Sequence, residues 1–388
     1  MEISACVKYV GVNDHQVDLF EGQYKVPNGM SYNSYVMLDD KIAIMDTVDG
    51  FFTEEWLNNV EQVLDGKMPD YLVIQHMEPD HSASIPAFLK KYPKVTVVST
   101  AKGFQFMEQF FPEFFAEQGL PAEQRIVAAN DGVLELGQHS LHFVYAPMVH
   151  WPEVMMTYEA TEKILFAADG FGKFGALDAE EEWADEARRY YIGIVGKYGP
   201  QVQAVLKKAA GLDIQTICSL HGPVLKENLG FYLEKYDRWS SYQPEESGVV
   251  IAYASVYGNT RNAAEYLADV LQEKGQKTVL YDLARCDKAK AVADAFRYDR
   301  LVLAGITYNG DLFPCMRSFI EGLTERNYQN RKVAIIENGT WAPMAGKLIL
   351  GMFEKSKNLT FTETTVSIKS AMNEQNKGEI GKLAEELC

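Results

Sequence analysis

The chain has 388 residues, of which 47% are hydrophobic and 23% charged, with a formal net charge of −17. This is the balance of a globular protein long enough for two or three domains. That charge argues against nucleic acid as the main partner, since binding phosphates requires clustered Lys and Arg. Residues 1–10 lack the basic start and long apolar stretch of an export signal. No apolar run reaches the roughly 18 residues of a membrane span. A cytoplasmic protein without membrane contact is expected. Its five cysteines, Cys6, Cys218, Cys286, Cys315 and Cys388, are scattered, with no C-x-x-C pair. That argues against a disulfide scaffold and against a four-cysteine metal site.

The first half mixes short β-type runs with helical stretches. SYVMLDDKIAIMDT reads as a hairpin turning at Asp39–Asp40. Apolar strands follow at Tyr71–Gln75, Val95–Thr100, Leu141–Pro147, Ile164–Asp169 and Thr216–Leu220. PAFLKKYP and EEEWADEARRYYIGIVGKYG between them have helical patterns. The segment SSYQPEESG, Ser240–Gly248, is polar and contains Pro and Gly, and marks a domain boundary at about residue 246. Beyond it, strand VVIAYAS, Val249–Ser255, leads into helix NTRNAAEYLADVLQEKG, and TVLYDL, RLVLAGI and KVAIIEN alternate with further helical stretches. This is the pattern of a doubly wound parallel sheet.

One segment of the first half stands out chemically. QHMEPDHS places His76, Glu78, Asp80 and His81 within six residues, directly after an apolar strand. Packing does not explain four such side chains together, because buried charges must be paired or bind metal. His150, Asp169 and His221 likewise follow apolar strands, so one end of a sheet can present all seven. Seven ligands exceed one tetrahedral zinc and suit two metals with a bridging carboxylate; imidazole with carboxylate fits iron, manganese or zinc. His139, in a turn, and His142, within a strand, are read as surface or structural. His15 lies near the N-terminus, and its approach to the metals is left open.

In the second half, Ser255, Val256, Tyr257, Gly258, Asn259 and Thr260 form a loop of small and hydroxyl residues at a helix start. Free N–H groups and the helix dipole favour a phosphate there; capping of the helix by Asn259 or Thr260 is the plainer alternative. Thr307, Tyr308, Asn309 and Gly310 follow the next long strand, and Asn338, Gly339, Thr340 and Trp341 follow another. These are carboxyl ends of parallel strands, where such sheets bind ligands. Trp341 reads either as a ring that stacks on the ligand or as an ordinary core or rim aromatic.

The run His76-x-Glu78-x-Asp80-His81 resembles the H-x-H-x-D-H motif of the metallo-β-lactamase fold, with Glu replacing the second His. That form, followed by HWP at His150–Pro152, Asp169, and HGP at His221–Pro223, is similar to the flavodiiron proteins. The second half resembles flavodoxin in strand pattern, loop order and length. The resemblance implies a metallo-β-lactamase-like αββα sandwich over residues 1–246, followed by a flavodoxin-like domain over residues 247–388. It implies two Fe ions, bridged by a carboxylate and an oxo or hydroxo group: His76, Glu78 and His150 on one, Asp80, His81 and His221 on the other, and Asp169 between. It implies FMN, with its phosphate in Ser255–Thr260 and its isoalloxazine between Thr307–Gly310 and Asn338–Trp341. The activity implied is reduction of O2 to water, of NO to N2O, or both. The donor implied is a separate rubredoxin, with a reduced deazaflavin cofactor or a flavin reductase as alternatives. The assembly implied is a head-to-tail homodimer or a dimer of dimers. Two other readings remain open at this stage, a diiron sensor of O2 or NO without turnover and a zinc hydrolase; Glu78 in place of His argues against the second.

Overall fold

The computed structural model describes residues 2–388. Its contacts divide into two compact units. One runs through Tyr191 and includes Pro200–Tyr236; the other comprises Ile192–Gly199 and Asp237–Cys388.

The first unit is built on two sheets. Strands Val7–Tyr9 (β1), Tyr35–Met37 (β2), Ala43–Met45 (β3), Tyr71–Val73 (β4), Thr96–Ser99 (β5) and Arg125–Val127 (β6) form one sheet in that order. Strands Val133–Glu135 (β7), Ser140–Tyr145 (β8), Met155–Glu159 (β9), Ile164–Phe166 (β10) and Thr216–Cys218 (β11) form the other. The two sheets share one core: Val7, Tyr35, Met45, Val73 and Val98 from the first meet Leu141, Phe143, Met155, Phe166 and Cys218 from the second. Face-to-face sheets with apolar inner faces are the solution a sandwich requires. Helix Thr53–Leu64 buries Trp56, Val60 and Leu64, and helix Ala101–Phe110 buries Phe104 and Met107. Those spacings put one stripe of each helix inward.

The hairpin read at Asp39–Asp40 is present, with β2 and β3 antiparallel and Val36 opposite Ile44. The other strands of this half are shorter than the apolar runs that announced them. Of Tyr71–Gln75 the strand takes only Tyr71–Val73, and of Ile164–Asp169 only Ile164–Phe166, each followed by one more cross-strand bond, Ile74 N to Val98 O and Ala167 N to Cys218 O, both 2.9 Å. The ladder stops where the chain turns outward toward His76 and Asp169. The long helical stretch starting at Glu180 also divides. It is α-helical over Trp183–Tyr190, widens to a π turn over Tyr191–Val195, and tightens over Gly196–Tyr198. Gly193 and Gly196 weaken a regular helix there.

The second unit holds strands Glu246–Tyr253 (β12), Thr278–Asp282 (β13), Tyr298–Tyr308 (β14), Arg331–Asn338 (β15) and Leu359–Ile368 (β16), ordered β13-β12-β14-β15-β16 and all parallel. This is the flavodoxin-like order, with its switch point between β12 and β14. Strand β12 starts at Glu246, inside the polar segment, with a register shift before Val249. The sequence reading did not single out β16. Its Thr-Glu alternation and exposed side chains are those of an edge strand.

Candidate functional site

The segments that follow four strands of the first unit deliver donor groups to one end of the sandwich. The turn after β4 carries His76 and Glu78, and a single helical turn, Pro79–Ser82, adds Asp80 and His81. His150, Asp169 and His221 come from the loops after β8, β10 and β11. The backbone is constrained at these corners. Ala168, just before Asp169, has φ 47°, a left-handed value that residues with a side chain seldom adopt. Gly222, just after His221, has φ 81°, and a Cβ there would lie 2.8 Å from Lys173 Cγ.

The structure gathers these residues into two groups, His76 with Glu78, His150 and Asp169, and Asp80 with His81 and His221. Asp169 Oδ2 lies 3.2 Å from both His76 Nε2 and His150 Nε2. Asp169 Oδ1 lies 3.4 Å from His81 Nε2 and 3.7 Å from His221 Nε2. One carboxylate thus faces both groups, one oxygen to each. Glu78 Oε2 closes the first group, 3.2 Å from His76 Nε2 and 2.9 Å from His150 Nε2. Asp80 Oδ2 closes the second, 3.3 Å from both His81 Nε2 and His221 Nε2.

These groups are almost wholly out of water: His76 and His81 are 0% exposed, Asp169 and His221 1%. Burial disfavours charge on each of them. It pulls His76 down, but Asp169, with Glu153 and Glu78, more than offsets this and holds it well above the usual histidine range. His150 is likewise raised to about 9, against its burial, by Asp169 and Glu78. Conversely His76 and His150 keep Asp169 far below the usual carboxylate range despite its burial. The carboxylates of the cluster therefore favour positive charge beside them, whether a proton on imidazole or a cation. Both Asp80 oxygens and both Asp169 oxygens are buried with no hydrogen-bond partner, and the Nε2 atoms of His81 and His221 face each other at 3.0 Å. Orphaned acceptors of this kind cost several kcal/mol each unless a cation takes them up. The donor set, with imidazole and carboxylate and no thiolate, fits two iron ions.

Outer partners fix the rings, and the sequence reading did not find them. Glu153 Oε1 accepts from Met77 N at 2.9 Å and lies 2.8 Å from His76 Nδ1. His221 Nδ1 donates to the Ser31 carbonyl at 2.7 Å. Asp46 accepts from Gln75 N at 2.7 Å and from Gln75 Nε2 at 2.8 Å, anchoring the turn before His76. Such partners set imidazole tautomer and basicity. The available signal was the run HWPE, in which Glu153 directly follows the HWP tripeptide, three residues after His150. Tyr190 is buried with its ring 5.5 Å from His221. His15 stays outside the cluster, on the surface 3.2 Å from Asp178. His142 lies in β8, 3.0 Å from Ser140 Oγ, and His139 pairs with Asp39 at 2.8 Å.

In the second unit the three loops read from the sequence line one cavity of about 430 Å³. The lining includes Ser255–Tyr257, Asn259, Thr260, Thr307–Gly310 and Asn338–Trp341, with Ile306, Ala342, Met344 and Ser370 added. Gly258 is not part of it. This residue instead precedes helix Asn259–Glu273 in a left-handed conformation, φ 92°, and no side chain caps the helix. The first-turn N–H groups are thus left for an anion, and capping by Asn259 or Thr260 does not occur. Asn338 Nδ2 donates to the Ser370 carbonyl at 2.9 Å, and Thr307 Oγ1 accepts from Met344 N at 2.8 Å. A Cβ on Gly339 would meet Pro343 Cα at 3.0 Å, so the loop closes this tightly only with glycine. Trp341 is 81% exposed and Tyr257 92%, which rules out the core reading of Trp341. An uncapped helix start at one end and aromatic faces at the other fit the phosphate and flat ring of FMN. The volume is that of a cofactor site, ~300–1,000 Å³.

Comparison with known proteins agrees with both halves. Residues 30–222 match the family model for the ODP family beta lactamase, and residues 250–358 match a flavodoxin domain. An anaerobic nitric oxide reductase flavorubredoxin of Vibrio vulnificus is 28% identical over 86% of this chain and 69% of its own. The flavodiiron protein of Giardia intestinalis has a TM-score of 0.87 at 25% identity, over 100% of this chain and 96% of that one. The rubredoxin oxygen:oxidoreductase of Desulfovibrio gigas shares the fold, with a TM-score of 0.91 at 24% identity over 100% and 97%. Of the first two curated relatives, the chain spans 80% of one and 48% of the other. With a metallo-β-lactamase-like half ahead of a flavodoxin-like half, and cradles suited to two irons and to FMN, this chain belongs to the flavodiiron proteins, which are oxidoreductases.

Proposed function

We propose that this oxidoreductase reduces O2 to water, NO to N2O, or both, at a diiron centre supplied with electrons through FMN. His76, Glu78 and His150 hold one iron, Asp80, His81 and His221 the other, and Asp169 bridges them. The diiron domain spans residues 1–246 and the FMN domain residues 247–388. The observation that carries this reading is Asp169, which presents one orphaned oxygen to each of two donor groups. When bound, two irons and FMN together supply the four electrons that O2 requires, or the two that join a pair of NO molecules.

The protein's own groups do the rest. The buried carboxylates and imidazoles hold charge in a site closed to bulk water, where electrostatic interactions are strong. Glu153 and the Ser31 carbonyl keep two imidazoles oriented with Nε2 toward the centre. In the flavin cradle, the uncapped helix start holds the phosphate, and Thr307–Gly310 with Asn338–Trp341 flank the ring. The D. gigas and V. vulnificus proteins carry rubredoxin in their names. That supports a separate rubredoxin as donor here, ahead of a reduced deazaflavin or a flavin reductase. No helix among the described residues is long and apolar enough to cross a membrane. A head-to-tail homodimer is the proposed assembly, which would bring one subunit's FMN beside its partner's irons.

The test is turnover by anoxically purified protein with verified iron and FMN content, reduced through rubredoxin and its reductase. O2 and NO consumption would be followed separately. Faster O2 loss without peroxide assigns an oxygen reductase, and faster NO loss with N2O formed assigns a nitric oxide reductase. Loss of neither, with reduction of both cofactors verified, refutes the proposal.

A further inference from the structure

A second donor cluster lies at the opposite end of the sandwich. Strand β9 is antiparallel to both β8 and β10, so β8 and β10 run the same way. His150 and Asp169 follow those two strands, whereas His139 and Glu162 precede them. Cys6 lies just before β1, and Asp39 sits in the turn before β3. One donor atom each from Cys6, His139 and Glu162 falls within 4.8 Å of the others.

The arrangement is a built one. Cys6 is buried, and its thiol donates to Glu162 Oε2 at 3.0 Å. Ser4 Oγ bonds the same carboxylate oxygen and lies 3.6 Å from Cys6 Sγ. Asp39 Oδ2 lies 2.8 Å from His139 Nδ1 and accepts from His139 N, also at 2.8 Å. That carboxylate is 4% exposed. It holds the proton on Nδ1 and leaves the lone pair on Nε2, as the carboxylate behind a metal-bound histidine does. Burial, and then Glu162, push the Cys6 thiol up to about 12. By itself it is a protonated donor, not a reactive thiol.

We propose that Cys6, His139 and Glu162 bind a divalent cation of the zinc class, with Ser4 Oγ or a water as fourth ligand. Thiolate, imidazole and carboxylate are the ligand types zinc takes, at ~2.3 Å to sulfur and ~2.0 Å to nitrogen or oxygen. Tetrahedral ligands at those lengths stand about 3.5 Å apart. The Cys6–Glu162 contact need open by only a few tenths of an ångström as the cation replaces the thiol proton. The site ties the residue before the first strand to turns of the second sheet, and has no part in the diiron chemistry.

Zinc-edge X-ray absorption on iron-loaded, FMN-bound protein given one equivalent of Zn2+ tests this, because iron and flavin are silent at that edge. A single sulfur at about 2.3 Å is expected. The seven residues of the diiron cluster include no cysteine, so a sulfur shell cannot come from zinc bound there. Cys6→Ser should abolish the sulfur shell. His139→Gln and Glu162→Gln should keep it but weaken zinc affinity at least tenfold, and they serve if Cys6→Ser fails to fold. A sulfur-free spectrum of the unaltered protein, a sulfur shell that survives Cys6→Ser, or unchanged zinc affinity in both Gln variants overturns the proposal.

Discussion

The two cradles of this chain use the same architectural position in opposite ways. Both sit on loops beyond the carboxyl ends of strands. In the first unit the donors are sealed, with His76 and His81 at 0% exposure. In the second the rim is open, with Tyr257 at 92% and Trp341 at 81%. The difference follows from what each holds. A metal cradle concentrates charge, which becomes useful only when water is excluded and costly when the cation is missing. A flavin cradle relies on backbone N–H groups and aromatic faces, which solvent satisfies well enough when the ligand is away. The first unit should therefore depend on its ligand for stability, and the second much less.

The strongest way to break this contrast is Asp169→Ala. Turnover should fall by more than about 100-fold, beyond the range of outer-sphere substitutions, and bound iron should be lost. FMN content should stay the same. Iron retained at the wild-type ratio to flavin would disprove the bridging role. Removing metal with a chelator comes next. It should destabilise the first unit by about 3 kcal/mol, the linkage expected for a ligand held at a hundred times its dissociation constant. Calorimetry should show that transition moving down while the flavin-bearing transition stays put; equal shifts would abolish the contrast.

Smaller effects sharpen it. Glu153→Gln keeps the shape but loses the carboxylate behind His76, and should cost about 10–100-fold in iron affinity or turnover. Metal titration of the apoprotein measures this, and a value equal to wild type would make Glu153 a bystander. Trp341→Ala should cost about tenfold in FMN affinity, near the worth of one aromatic stack, with iron content unaltered. Fluorescence titration with FMN would show it, and a loss of iron in this variant would contradict the independence of the two cradles.

The two halves were also unequally legible. The parallel pattern of β12, β14 and β15 could be read directly, because buried parallel strands are nearly continuous apolar runs. Strand β16 escaped because its LTFTETTVSI alternation is half polar at the sheet edge. In the first unit the short strands β1, β7 and β9 escaped as well. Three to five residues carry little periodicity, and their pairing comes from the core between the sheets. Glu153 passed unnoticed because its place directly after HWP gives no hint of His76, 77 residues earlier, which it meets only in the fold.

By itself the sequence determined which residue types stand at the ends of which strands. His76, Glu78, Asp80 and His81 share one short segment, and Ser255–Thr260 join a strand to a helix. Those are local facts, set by spacing and backbone chemistry. The division of the donors was implied by family resemblance, but only the tertiary structure decided its atoms, with Asp169 Oδ2 toward His76 and His150 and Oδ1 toward His81 and His221. It also brought Cys6 to Glu162, 156 residues away in sequence, and set Asp39 behind His139. Such meetings depend on sheet order, strand direction and register, which are settled by burying two apolar faces against each other and leave no trace in the spacing of the residues that meet.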